Sequence, residues 1–169
     1  WSLLHQAGYY RWLAQNEYFA FAPGPRSASG SSTVYAITHE EGLLKTTDFG
    51  ASWSGNLLPA RLIGNAVVYR EPGWLWFAAD EGLWLSTNGG ADWTPRRLGT
   101  VNGLAVHPQD PRIVFVALQY QSASNRGVWR TTNAGDTWEE ANGAPDGGSV
   151  LPRGAAPWLW SWGKLALSP

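Results

Sequence analysis

Ser86-Thr87-Asn88-Gly89-Gly90-Ala91-Asp92-Trp93 is one of three copies of a single pattern. The others are Thr46-Thr47-Asp48-Phe49-Gly50-Ala51-Ser52-Trp53 and Thr131-Thr132-Asn133-Ala134-Gly135-Asp136-Thr137-Trp138, with starts separated by 40 and then 45 residues. Each copy has Ser or Thr, Asp or Asn two positions on, Gly two after that, a short polar residue after two more, and then Trp. A hydroxyl and a short carboxylate or amide can bond nearby backbone N–H groups and hold a tight turn, and Gly supplies the positive φ such a turn requires. The indole is expected to fold back into the apolar interior, where truncation to Ala costs about 3–5 kcal/mol.

Around these turns the same order of segments recurs. Residues 32–38, 73–79 and 112–118 are β-branched or aromatic runs of strand length. Each leads through a Gly-containing turn to a second short run, at 42–45, 82–85 and 127–130. Upstream of each pair lies an apolar segment ending near a Pro, at 17–23, 65–72 and 101–108. With the strand that begins at the Trp, the unit has four strands, and four antiparallel strands in roughly 40–45 residues is the size of a propeller blade.

The pattern resembles the Asp-box, or BNR, repeats of sialidases, xyloglucanase-type glycoside hydrolases, sortilin-like receptors and photosystem II assembly-factor propellers. The resemblance implies an all-β chain of propeller blades and leaves the activity open, because those families span enzymes, receptors and assembly factors. It assigns a structural role to Thr46, Asp48, Gly50, Ser52, Trp53, Ser86, Asn88, Gly90, Asp92, Trp93, Thr131, Asn133, Gly135, Thr137 and Trp138. It also implies an extracytoplasmic location, which no other feature supports.

The ends extend the repeat. Trp1-Ser2-Leu3-Leu4 reads like the segment after a turn, and Gly163-Lys164-Leu165-Ala166-Leu167-Ser168-Pro169 like the strand before one. One domain over 1–169 with four consecutive units, 1–52, 53–92, 93–137 and 138–169, is therefore expected. The units either close a four-bladed ring or form part of a larger propeller, the remainder being missing or supplied by other copies. The absence of Met and the ends within the motif favour the larger ring.

Composition narrows the partners. Twelve Trp and twenty Gly in 169 residues suit short strands and tight turns. A net charge of -1 with scattered basic residues argues against nucleic acid. No run without a charged residue is longer than that at 113–125, which is too short to span a bilayer as a helix, and membrane insertion is not expected. There is no Cys, hence no disulfide or thiolate chemistry. His5, His39 and His107 lie in different units without metal-site spacing, and no metal or other cofactor is expected.

Alternation of antiparallel strands sorts the loops onto two faces. The repeated turns share one face with the first-to-second loops at 24–31, 71–73 and 108–111. The opposite face carries Glu40, Glu41, Asp80, Glu81, Tyr120 and Arg126 in second-to-third turns, with Arg61 and Arg96 in the connections between blades. These eight are the candidate binding residues. The carboxylates there could also serve as solvated turn residues, as ligands for a cation or sugar, or as acid and base. A sialidase would require, by resemblance, clustered arginines and a Tyr–Glu pair, and Glu17-Tyr18 falls at the start of a strand instead. Of the twelve indoles, Trp74, Trp76, Trp84 and Trp129 are expected between blades, and Trp158, Trp160 and Trp162 on one strand face.

The resulting expectation is a non-catalytic binding or scaffolding propeller with a protein or peptide partner on the face opposite the turns. A fragment of a glycoside hydrolase acting on a glycan is the first alternative. A purely architectural segment of a larger assembly is the second, and exposed strand edges leave self-association open.

Overall fold

The computed structural model describes residues 21–26, 32–38, 41–58, 64–96, 99–118 and 127–141. These residues form three antiparallel sheets and contain no helix. The first sheet has the order β1 (Phe21–Arg26), β2 (Ser32–Thr38), β3 (Gly42–Thr46). The second runs β4 (Gly64–Arg70), β5 (Trp74–Ala79), β6 (Gly82–Ser86), β7 (Thr94–Pro95). The third runs β8 (Val101–Val106), β9 (Val114–Leu118), β10 (Gly127–Thr131), β11 (Glu139–Glu140). Neighbouring strands are sequential in each, the up-and-down order of a propeller blade.

The fourth strands are shorter than the pattern suggested, with two residues each in β7 and β11. In the first sheet that position is taken by an irregular segment along β3. The amides of Ser54 and Leu57 donate to the carbonyls of Lys45 and Leu43, both at 2.8 Å. The amides of Lys45 and Leu43 donate in return to Ser54 Oγ and Asn56 Oδ1. Side-chain oxygens thus complete the edge of β3 where a regular ladder is missing, which keeps those donors satisfied.

The sheets stack with their first strands β1, β4 and β8 side by side. Strand alternation sends Leu75, Phe77 and Ala79 of β5 towards the first sheet, where they join Tyr35, Ile37, Leu43 and Val67. Trp76 and Ala78 point the other way, to Val101, Val106, Val114 and Val116 of the third sheet. Both faces of the middle sheet are therefore core, and Leu75, Trp76, Phe77, Ala78 and Ala79 are all 0% exposed. Burying a side chain such as Phe77 contributes about 1.5–3 kcal/mol, so the two apolar layers dominate cohesion. Gly64 permits the close approach: a Cβ there would lie 2.5 Å from Phe77 Cζ.

Trp74, Trp84 and Trp129 pack against these layers but stay half-buried, whereas Trp76 is fully enclosed. Trp12, Trp158, Trp160 and Trp162, the fourth unit beyond residue 141 and the segment before residue 21 lie outside the described residues.

Candidate functional site

The three repeated turns share one hydrogen-bond scheme. Its anchor is a buried hydroxyl on Thr46, Ser86 or Thr131, exposed by only 2%, 1% and 1%. Each accepts the N–H four residues on, from Gly50, Gly90 or Gly135, at 2.9 Å. Each donates to the Oδ1 of Asp48, Asn88 or Asn133, at 2.7, 3.0 and 2.9 Å. That Oδ1 accepts the N–H of Ser52, Asp92 or Thr137 at 2.9, 2.9 and 3.0 Å, closing the turn.

A complementarity not apparent in the residue types alone follows. Where the second position is Asp48, its partner Ser52 donates through Oγ at 2.6 Å. Where it is Asn88, the amide donates to the Asp92 carboxylate at 2.8 Å. Asn133 donates to Thr137 Oγ1 at 2.9 Å. The bonds to Ser52, then to Thr46, hold the Asp48 carboxyl down at about 2.

Backbone geometry adds a second requirement. The Gly of each turn has positive φ, as expected, at 86°, 91° and 85° for Gly50, Gly90 and Gly135. The residue before it is left-handed as well: Phe49 at 58°, Gly89 at 70° and Ala134 at 60°. Only Gly89 takes this conformation without steric cost.

The indoles correct an expectation. Trp53, Trp93 and Trp138 are half-buried, not enclosed. Trp93 and Trp138 pack against the core with one side and leave the other to solvent. Trp93 and Trp138 donate Nε1–H to the Gly90 and Gly135 carbonyls at 3.1 Å, and the Trp93 ring meets Phe77 edge-on. The truncation cost for these rings accordingly falls below that of a fully buried Trp.

The turns share a face with the first-to-second loops. Gly89 N–H donates to the Gly73 carbonyl at 2.8 Å and Ala134 N–H to the Arg112 carbonyl at 3.0 Å. Fasteners between sheets gather here too. Tyr35 Oη donates to the Gly89 carbonyl, Trp76 Nε1 to the Pro111 carbonyl, and Arg70 to the carbonyls of Val106 and His107.

Arg96 belongs to this set, against its expected place on the opposite face. Its chain lies over Gly135 and its guanidinium meets Asp136 Oδ1 at 3.0 Å. Its amide donates to the Leu83 carbonyl at 2.6 Å, just past the end of β7, and its long side chain reaches the neighbouring turn, where a carboxylate waits.

On the opposite face Asp80 and Glu81 form a two-residue hairpin between Ala79 and Gly82, and Glu41 precedes Gly42 in the corresponding turn of the first sheet. All three residues are exposed. The Glu41 amide donates to Thr38 Oγ1, and the Asp80 carbonyl accepts Thr100 Oγ1–H at 2.8 Å, so the backbone of both turns is tied down. Glu40, Arg61, Tyr120 and Arg126 fall outside the described residues.

Among the described residues the features of a catalytic centre are dispersed. Tyr69 Oη donates to Glu71 Oε2 at 3.0 Å, a Tyr–acid pair at a place the sequence did not flag. Burial, then the Glu71 bond, pushes the Tyr69 phenol up to about 12, and its ring stacks on Tyr35. A phenol held in this way keeps its proton and serves as a packing element. Arg112 pairs with Asp110 and Arg130 with Glu139, so the described guanidiniums do not converge on one point. His107 Nδ1 accepts the amides of Gln109 and Asp110, the work of a turn residue. His5, His39 and the Glu17-Tyr18 pair lie outside the described residues. Among the described residues no three metal-ligating side chains cluster.

The stack of up-and-down sheets has counterparts among solved structures. The xyloglucanase of family GH74 from Xanthomonas campestris superposes with a TM-score of 0.58 at 16% identity, over 66% of this chain and 19% of that one. An ancestral GH74 enzyme gives 0.54 at 21% identity, over 70% and 17%. YCF48 from Cyanidioschyzon merolae gives 0.54 at 16% identity, over 75% and 38%. This chain has the β-propeller fold. At these identities the likeness concerns the fold alone, and the chain spans well under half the length of each of these proteins. No family model matches the sequence, and no curated protein does.

Proposed function

We propose that the three turns are Asp-box repeats and that the chain is a non-catalytic binding or scaffolding part of a larger propeller. Its partner is a protein or peptide engaging the face opposite the turns, outside the cytoplasm. The location is carried by the Asp-box resemblance alone. The observation that carries the binding reading is the contrast between faces. On the turn face the hydroxyls and the Asp or Asn side chains of the repeat bond within their own turn, and Tyr35, Trp76 and Arg70 bond to the next sheet, so these groups act as architecture. On the other face Glu41 and the Asp80-Glu81 hairpin offer exposed carboxylates in the same turn of adjacent blades, which suits a partner segment rich in Lys or Arg.

Carbodiimide crosslinking of the full-length protein in its native extract tests this. Crosslinks from Glu41, Asp80 or Glu81 to lysines of one stoichiometric partner, lost together with binding in E41Q/D80N/E81Q, are the expected result. Binding that survives the triple substitution counts against this face. Release of reducing sugar from xyloglucan, abolished by changing a single carboxylate, would overturn the non-catalytic reading in favour of a glycoside hydrolase. Absence of any partner would leave the architectural role.

A further inference from the structure

Three turns with one hydrogen-bond scheme differ in a chemically important way. In the second, Asn is followed by Gly, whereas Asp48 precedes Phe49 and Asn133 precedes Ala134. Asn-Gly is the pair most prone to deamidation, because no Cβ shields the following backbone nitrogen. The Gly89 nitrogen attacks Asn88 Cγ, the Cγ–Nδ2 bond breaks, and ammonia leaves carrying the displaced nitrogen. Water then opens the resulting cyclic imide to Asp or isoAsp.

The folded turn blocks each requirement of that step. The attacking N–H is engaged with the Gly73 carbonyl at 2.8 Å. Asn88 Oδ1 is held by the Asp92 amide and the Ser86 hydroxyl, and Nδ2 by the Asp92 carboxylate at 2.8 Å. These bonds fix the side chain along the turn to Asp92, while the Gly89 N–H is held by Gly73, so the two groups cannot rearrange to close the ring without opening the turn. Exposure of Asn88 to solvent supplies the water once the turn opens.

The product would not fit. A carboxylate at position 88 meets the Asp92 carboxylate where an N–H···O bond stood, and like charges at that distance destabilise one another. Conversion of Asn133 would be harmless by comparison, since an acid there faces the Thr137 hydroxyl much as Asp48 faces Ser52. The same turn supplies the Gly89 carbonyl that Tyr35 grips from the first sheet, so its loss loosens a junction between blades.

We propose that Asn88 is a conformationally gated deamidation site: inert while its turn is closed on Asp92, reactive once the turn opens, and unable to re-form the turn at neutral pH after conversion.

Peptide mapping by mass spectrometry after incubation in mildly alkaline buffer, native and in urea, tests the first half, with Asn133 as the internal control. Native protein is expected to convert Asn88 at least about tenfold more slowly than the unfolded chain, as protection by a local opening equilibrium requires. Folded D92A should narrow that gap and folded D92N, which still presents an acceptor, should keep it. Equal native and unfolded rates, or a D92A rate unchanged from wild type, would overturn the gating. N88D tests the second half: a lower denaturation midpoint than wild type at neutral pH, regained in N88D/D92N, is expected. N88D as stable as wild type would overturn it.

Discussion

The Tyr35 hydroxyl crosses the junction between two sheets and donates to the Gly89 carbonyl at 3.2 Å. Trp76 repeats the device one blade on, with Nε1 donating to the Pro111 carbonyl at 2.9 Å. The two residues occupy the same register: Tyr35 pairs with Lys45 and Trp76 with Leu85, each one residue before the turn hydroxyl. One position of the second strand thus fastens each blade to a loop of the next.

That equivalence predicts graded effects. Y35F removes one partly buried hydrogen bond and keeps the ring, so it should cost about 0.5–1.5 kcal/mol in equilibrium urea unfolding. W76A removes the bond together with a fully buried indole and should cost about 3–5 kcal/mol. Wild-type stability in Y35F would mean that the hydroxyl bond contributes nothing.

The turn hydroxyls predict a Ser–Thr equivalence. Ser86 Oγ is the acceptor for the buried Gly90 amide, and S86A would strand that donor at a cost of about 1–3 kcal/mol. S86T reproduces the residue used at 46 and 131 and keeps the hydroxyl acceptor, so it should lose less stability than S86A, with only the added methyl to accommodate at a buried site. Thermal melts of the two variants check this; equal losses would show that the hydroxyl is dispensable.

Close packing at Gly64 predicts a coupled pair. G64A drives a methyl into the Phe77 ring and should cost about 1–3 kcal/mol through overpacking. F77L clears space at the same point, so the double variant should be less destabilised than the sum of the singles. A strictly additive double-mutant cycle would place the strain elsewhere.

Acid stability should distinguish the first turn from the other two. Asp48 has its carboxyl lowered from 3.8 to about 2 by the bonds from Ser52 and Thr46. Its contribution is therefore present above the ordinary carboxylate value and is lost as pH falls from there through about 2. D48N gives the turn the Asn chemistry of Asn133, so it should fold at neutral pH and show a shallower loss of melting temperature in acid. Parallel acid limbs for D48N and wild type would refute the assignment. The half-buried Asp110, held at about 2 chiefly by Arg112, adds to the acid limb in both proteins.

The blade pattern was legible in the residue types because its decisive contacts are local. Each turn hydroxyl bonds partners two and four positions on, and each Asp or Asn bonds a residue four on, so a short word encodes the whole hairpin. The residue types likewise placed Trp76 between blades, where it is fully enclosed, although Trp74, Trp84 and Trp129 stay half-buried. The fasteners were not legible. Tyr35 and Gly89 are 54 positions apart, Arg96 and Asp136 are 40 apart, and Trp76 and Pro111 are 35 apart. Such pairs meet only because one blade is stacked on the next. The same stacking decided that the turn indoles stay half-buried and that Arg96 serves the turn face. Sequence determined the repeating hairpin and its internal bonds; tertiary structure decided which polar groups are spent between blades and which stay exposed, because that depends on distances the chain acquires only when its sheets pack.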